Sequence, residues 1–236
     1  MNFDNHLFRP SMLGDLMSNS VGKKDTKNVN DLGETAKGKL LEIYIEKVYG
    51  RRKDVTNKYM EKGTIQEEES MTLYSRVTGD LYFKNKETFK NDFFVGTPDI
   101  ITDDFILDLK TSWDIHTFFA TILKPVNKNY ICQLNAYMDL VGRDSAKLVY
   151  TLVNTPENLI EDEKKKARWR LGVIDEENDP AYLEAVADIE KNSRFDDIPM
   201  KKRYIEFEIE RDQELIDSMK ERGKIWREFL NMLPND

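Results

Sequence analysis

The sequence has few of the residues that most metal and redox chemistry uses. It contains one cysteine, Cys132, and two histidines, His6 and His116, among 236 residues. A single cysteine excludes a disulfide within the chain, a cysteine zinc site and a four-cysteine iron–sulfur cluster. The histidines are far apart and fit no triad or metal pattern. Glycine-rich phosphate loops and a G-x-S-x-G turn are also missing, which argues against the nucleotide-binding and hydrolase classes that use them.

Long apolar runs are missing as well. No stretch approaches the roughly 18 apolar residues of a transmembrane helix. The first residues, MNFDNHLFRPSML, lack the basic and apolar segments of a secretory signal. We therefore expect a cytoplasmic protein without membrane association. The 36 Lys and Arg residues are outnumbered by 44 Asp and Glu residues, for a net charge of −8. This acidity argues against coating nucleic acid by bulk charge, but it permits a local basic groove.

The order of predicted elements indicates an α/β (α+β) fold with a central mixed β-sheet flanked by helices. Apolar spacing predicts helices over 10–18, 35–49, about 57–77, about 130–141 and about 212–232. Strand-type runs lie at 81–84, 93–96, 147–154 and 204–210, and a hairpin turns across Thr102-Asp103-Asp104. Residues from about 155 to 200 are highly charged and predict exposed helices. We expect one domain over 1–236 that carries this stretch as a charged helical insertion.

The predicted hairpin places ionisable groups close together. Alternation along its second strand puts Asp108 and Lys110 on one face, next to Ile106. Asp99 follows Pro98, a residue that suits a strand start or an edge. Two carboxylates near one end of a hairpin are the kind of ligand that Mg²⁺ prefers. On these residues alone, an ordinary surface hairpin with an Asp108–Lys110 ion pair is the commoner explanation.

The helix before the hairpin strengthens the metal-site hypothesis. At about 100° per residue, Glu67 lies at the centre of an apolar face. The neighbours on that face are Met60, Gly63, Met71 and Tyr74. A lone carboxylate there is costly unless it is paired or binds a metal. We favour a metal ligand over the two alternatives, which are a salt bridge to a buried Arg or Lys and a shorter helix.

Gln133 repeats this pattern on the helix over 130–141. It shares a face with Tyr130, Ala136, Tyr137 and Leu140. A buried amide must be hydrogen-bonded. The partner of Gln133 is either a backbone group or an active-site lysine or water.

Four short motifs, in this order, resemble a known family. Gly96-Thr97-Pro98-Asp99 followed by Asp108-Leu109-Lys110 resembles the core signature of the PD-(D/E)XK nuclease superfamily. Gly63-Thr64-Ile65-Gln66-Glu67 with Thr78-Gly79, and Tyr130-X-X-Gln133 with Tyr137, are similar to the phage lambda exonuclease and YqaJ viral recombinase group. The agreement runs from about Leu7 to Thr155.

The resemblance implies a restriction-endonuclease-like core and a site for phosphodiester hydrolysis. By position, Glu67, Asp99 and Asp108 would hold Mg²⁺ or Mn²⁺ together with the Leu109 carbonyl. Lys110 would orient the attacking water or stabilise the transition state, and Gln133 would support the site. Arg9 or Ser11, a looser match, would contact a DNA phosphate.

The resemblance also implies the activity and the partners. We expect a metal-dependent DNA nuclease, specifically an exonuclease acting on double-stranded ends in recombination or repair. An endonuclease, a single-strand nuclease and a non-catalytic DNA-end binding protein of the same fold are the alternatives. The implied partners are DNA, a single-strand annealing protein and further copies of the chain in a ring trimer. If the protein is viral, its place is the host cytoplasm.

Overall fold

The computed structural model describes residues 2–53 and 58–234, with only the backbone at 58, 59, 61 and 64. Its helices are α1 Leu13–Leu16, α2 Glu34–Tyr49, α3 Lys58–Ile65, α4 Glu67–Thr78, α5 Ile115–Ala120, α6 Lys128–Val141, α7 Glu157–Leu171, α8 Pro180–Ser193 and α9 Gln213–Met232. Its strands are β1 Phe89–Lys90, β2 Val95–Gly96, β3 Ile100–Ile101, β4 Ile106–Thr111, β5 Ser145–Thr151 and β6 Tyr204–Glu210. Short 3₁₀ turns occur at Pro10–Met12, Val29–Asp31 and Met200–Lys202. No helix in these residues is both long and apolar enough to cross a bilayer.

The central sheet has the order β3-β4-β5-β6, and β1 and β2 form a separate hairpin. β4 and β5 run parallel, whereas β3 and β6 are antiparallel to their neighbours. The parallel pair requires a crossover, which α5 and α6 supply. β3 pairs only with Ile106 and Leu107. From Asp108 onward, that side of β4 therefore has no neighbouring strand among the described elements.

Each face of the sheet packs against a helix. α6 covers one face, where Ile106, Leu134, Met138, Ala146 and Leu148 are buried together. α4 covers the other face, where Tyr74, Ile100, Leu107 and Val149 are buried. Consecutive β4 residues thus point to opposite faces, which confirms the predicted alternation.

A further core joins the two ends of the described chain. Phe8 and Trp226 are fully buried with their ring centroids 5.0 Å apart. Arg222 of α9 donates hydrogen bonds to the carbonyls of Leu16, Met17 and Ser18. The Phe8 backbone bonds to Phe93 O at 2.8 Å and accepts from Val95 N at 3.1 Å. The N-terminal segment is thereby fixed beside the strand that leads to Asp99.

Two predictions need correction. The helix expected over about 57–77 is interrupted at Gln66, whose φ and ψ are −97° and 8°; its expected start at Asn57 lies outside the described residues. Gly63 weakens the preceding helix, and three glutamates at 67–69 favour a new helix N-terminus. Leu81–Lys84 forms no strand, because Leu81 and Phe83 are exposed and only Tyr82 packs inward, stacked on Tyr74.

Residues from about 155 to 200 form helices, as expected, and these are α7 and α8. α7 and α8 are antiparallel, since Arg194 after α8 pairs with Glu157 at the start of α7 at 2.7 Å. They pack on each other around Ala167, Val173 and Tyr182. The two ends of this helical hairpin meet where Thr155 N donates to Ser193 O at 2.8 Å.

Candidate active site

Four of the predicted site residues, Glu67, Asp99, Leu109 and Lys110, line a cleft with a volume of about 680 Å³. Leu109 and Lys110 of β4 form its floor, and Asp99 lies next to them. Helix α4 contributes Glu67 to the lining, and helices α3 and α5 contribute residues as well. The remaining lining residues are Met60, Gly63, Lys84, Thr111, Ser112, Trp113, Thr117, Thr121, Tyr130 and Tyr150.

Asp108 lies beneath the cleft and is only 2% exposed. Its Oδ2 is 2.7 Å from Lys110 Nζ, but no hydrogen bond of acceptable geometry reaches that oxygen. Its Oδ1 accepts a long hydrogen bond of 3.4 Å from Gln133 Nε2. A buried carboxylate oxygen without a hydrogen bond is rare. This oxygen therefore keeps a lone pair available for a further ligand.

Asp99 has an altered acidity. Burial raises its pKa to about 7; the negative charges of Asp108 and Glu67 add to this effect, and Lys110 opposes it. Neighbouring buried carboxylates repel each other, and a bound cation would relieve that repulsion. Carboxylate oxygens are also the donors that hard divalent ions take. Asp99 and Asp108 thus supply donors of the kind that Mg²⁺ or Mn²⁺ takes.

Glu67 lies at the first position of α4 and not in the middle of a continuous apolar face. It is 31% exposed and pairs with Lys84, with 2.6 Å between Oε2 and Nζ. Of the two alternatives to a metal ligand, the shorter helix is observed, because α4 begins at Glu67. The other alternative, a salt bridge to a buried lysine or arginine, is not observed in the described structure, because the partner Lys84 is 51% exposed. Among residues 2–53 and 58–234, no three Asp, Glu, His or Cys side chains lie close enough together to hold an ion.

Lys110 is held as a cation. Burial lowers its pKa, but the charges of Asp108 and Asp99 outweigh that effect, so that the pKa is raised. Its ammonium also lies 5.0 Å from the centroid of the Tyr130 ring, within the range of a cation–π interaction. A lysine that stays protonated can stabilise negative charge, whereas it cannot act as a general base.

Gln133 and Tyr137 complete the α6 side of the site. The Gln133 amide donates to the Asp108 carboxylate, so its partner lies in the site but is neither the backbone group nor the lysine or water that the sequence suggested. Burial raises the pKa of Tyr137 to about 12, and the charges of Asp99 and Asp108 act in the same direction. The Tyr137 hydroxyl therefore stays protonated beside these acids.

Arg9 and Ser11 are exposed and do not line this cleft. Arg9 lies 3.7 Å from Glu46 and borders a separate basic depression with Lys39, Arg52 and Lys53. Their contact with DNA stays a prediction.

Sequence reasoning missed several residues of the cleft. Lys84 ends the run over 81–84 that was predicted as a strand, but the structure has neither helix nor strand there, so the prediction did not indicate its position. Trp113 and Tyr150 come from segments that are far apart along the chain. Tyr150 belongs to the apolar run over 147–154, which predicted a strand there but not its place in the cleft.

The mixed sheet with its flanking helices is a restriction-endonuclease-like fold, and the comparisons confirm the resemblance to PD-(D/E)XK nucleases of the lambda exonuclease and YqaJ group. A phage-related exonuclease from Haemophilus somnus 129PT superposes with a TM-score of 0.75 and 28% identity over 97% of this chain and 95% of that one.

An alkaline exonuclease from Laribacter hongkongensis, LHK-Exo, superposes with a TM-score of 0.63 and 17% identity over 97% of this chain and 89% of that one. The same enzyme in complex with dAMP gives a TM-score of 0.62 with the same identity and coverage. At this identity the likeness concerns the fold. No family model matches the sequence, and no curated protein matches it significantly.

Proposed function

We propose that this protein is a divalent-metal-dependent deoxyribonuclease that degrades double-stranded DNA from its ends. The observation that carries the proposal is the buried Asp108–Lys110 pair beside Asp99 in an open cleft. The likeness over nearly the whole chain to a protein described as a phage-related exonuclease supports the exonuclease assignment. The dAMP complex of LHK-Exo is consistent with a nucleotide product.

Asp99, Asp108, Glu67 and the Leu109 carbonyl would hold Mg²⁺ or Mn²⁺. When bound, the ion would supply charge neutralisation at the phosphate and a bound water of lowered pKa. Glu67 becomes available for this role when its ion pair with Lys84 opens. The unpaired side of β4 leaves backbone groups near Leu109 without a strand partner, which supports a role for that carbonyl.

Lys110 acts on the scissile phosphate through its permanent charge. Its ammonium is fixed between Asp108 and the Tyr130 ring at the floor of the cleft. A preorganised cation at this point stabilises the charge that develops in the transition state. Gln133 holds the second oxygen of Asp108 and so keeps the carboxylate facing Lys110. No nucleophilic side chain is needed, because water attacks the phosphorus.

Incubation with Mg²⁺ and either linear or circular DNA tests the proposal. We expect the wild type to degrade linear DNA. Lys110→Met and Asp108→Asn should slow the reaction roughly 10²–10³-fold, the loss typical of a removed electrostatic contact in the transition state. Lys147→Met is a matched control, because Lys147 lies on the adjacent strand and pairs with Glu206 outside the cleft. Equal degradation by wild type and both site variants would refute the assignment.

The same assay separates the alternatives. Cleavage of circular DNA identifies an endonuclease, and preference for single strands identifies a single-strand nuclease. Retention of DNA ends without cleavage identifies an end-binding protein. The ring trimer and the annealing partner are further proposals from the resemblance, and sedimentation of the protein alone and with an annealing protein tests both.

A further inference from the structure

A chain of buried hydroxyl groups connects α4 to the floor of the cleft. Ser70 lies three residues after Glu67 on α4 and is fully buried. Its Oγ is 2.9 Å from Thr111 Oγ1 and accepts a hydrogen bond of 2.8 Å from Thr151 Oγ1. Thr111 directly follows Lys110, and Thr111 and Thr151 are partners across β4 and β5. The helix that carries Glu67 is therefore attached to the strand that carries Lys110.

Lys62 makes a second connection on the other side of the Gln66 break. This α3 lysine is only 1% exposed. Its ammonium donates to Trp113 O at 2.8 Å and to Thr155 Oγ1 at 3.1 Å. Trp113 lies just past the end of β4, and Thr155 lies just past the end of β5. The two connections therefore hold both sides of the break against the same two strands.

These contacts do more than fill space. Burying a hydroxyl or an ammonium is costly unless its hydrogen bonds are made, and each hydrogen bond is directional. Apolar side chains could fill the same volume, but they tolerate sliding of the helix along the sheet. The polar contacts fix the helix at one position, and Glu67 is one helical turn from the hydroxyl chain.

We propose that Ser70 and Lys62 are positioning residues that hold the α3–α4 break against the ends of β4 and β5. They thereby fix the start of α4 so that the Glu67 carboxylate, once released from Lys84, reaches a divalent ion held by Asp99 and Asp108. The inference rests on the proposed function. It adds two residues to the site, neither of which lines the cleft. Their effect on the ion passes through Glu67.

Calorimetric titration of Mn²⁺ into the DNA-free protein tests this role. Ser70→Ala and Lys62→Met remove the polar groups with little change in volume, and each should weaken Mn²⁺ binding by roughly tenfold, as loss of groups that orient metal ligands does. Thr151→Val removes the next hydroxyl of the chain and should act in the same direction. Thr151→Ser is the matched control, because it keeps the hydroxyl and should bind Mn²⁺ like the wild type.

A double-mutant cycle separates positioning from general destabilisation. In the Glu67→Gln background, Ser70→Ala should have no further effect on the Mn²⁺ dissociation constant. An equal loss in both backgrounds overturns the inference. If the wild type binds Mn²⁺ no more tightly than Ser70→Ala and Lys62→Met, the inference is also wrong. The proposed function is unaffected by that result. Wild type that binds no Mn²⁺ overturns the proposed metal site and the positioning role with it. If Ser70→Ala does not fold, the Mn²⁺ dissociation constants of Thr151→Val and Thr151→Ser are compared instead. Equal constants would overturn the inference.

Discussion

Two carboxylates that share a buried site repel each other, and in the cleft this repulsion is reflected in Asp99. Its pKa is raised to about 7 by burial and by the charges of Asp108 and Glu67. Asp99 therefore keeps its proton to a higher pH than an ordinary aspartate, and a divalent ion must compete with that proton. Acidity and metal affinity are thus coupled at this residue.

This coupling predicts a pH dependence of stability. Because the pKa of Asp99 is higher in the folded protein than its usual 3.8, the folded state binds more protons between these values. Its contribution to stability is therefore fully present at low pH and is lost as the pH rises toward about 7. Urea unfolding without divalent ions should show that wild type loses stability relative to Asp99→Asn between about pH 4 and pH 7. A difference that stays constant over this range would contradict the prediction.

Lys84 forms an exposed ion pair with the Glu67 carboxylate. A divalent ion that binds Glu67 must displace this ammonium. We expect Lys84→Met to bind Mn²⁺ about two- to fivefold more tightly, which corresponds to the usual strength of an exposed pair. Calorimetry measures the change, and Lys86→Met, an exposed lysine two residues further along, controls for the loss of one positive charge nearby. Unchanged or weaker binding by Lys84→Met would show that the pair does not compete.

At the scale of elements, close contacts between helices fix their positions around the sheet. α1 passes α6 at Gly14, where an added Cβ would lie 2.2 Å from Asn129 Oδ1 and 2.4 Å from its Cα. A backbone atom cannot move aside as a flexible side chain can. The crossing therefore requires glycine, and it sets the position of α6, which carries Gln133.

Gly14→Ala should consequently destabilise the protein by about 1–3 kcal/mol, the usual cost of overpacking a core. Gly38→Ala in α2 is the matched control, since nothing lies within 4 Å of its added Cβ. That change should stabilise the protein by roughly 0.5–1 kcal/mol, because alanine is the better helix former. Urea unfolding measures both, and equal stabilities for the two variants would be inconsistent with the tight crossing.

The elements also show how far the sequence predicts the structure. β6 was predicted with its observed bounds, and the hairpin of Asp99 and Asp108 was found, because strict alternation reports a half-buried strand. The break at Gln66 was missed, since apolar spacing continues across it. Asp108, Lys110 and Gln133 were recognised because they belong to short motifs. Lys84 and Ser70 could not be, because their partners lie 17 and 41 or more residues away.

At the scale of the whole molecule, the α7–α8 hairpin begins and ends at the same side of the core. Its ends meet between Asn154 and Phe195, where Phe195 N donates to Asn154 Oδ1 at 2.7 Å. The two helices of the hairpin pack their apolar side chains against each other around Ala167 and Tyr182. The cleft has no lining residue from either helix.

Replacement of residues 157–192 by a short Gly-Ser linker should therefore preserve Mn²⁺ binding and cleavage of linear DNA. Thermal stability should fall, because the buried contacts of Leu159 and Ile160 are lost. Calorimetry and the cleavage assay on the same preparation check this. A folded deletion variant that no longer binds Mn²⁺ would show that the hairpin contributes to the site.

The packing of Phe8 against Trp226 has a consequence for biosynthesis. The ribosome makes Phe8 more than two hundred residues before Trp226. A nascent chain must carry the apolar side chains of its N-terminal segment without their α9 partners until that helix has left the exit tunnel. We expect these side chains to stay without their native partners during most of translation. The contact of Phe8 with Trp226 forms only after α9 has been made.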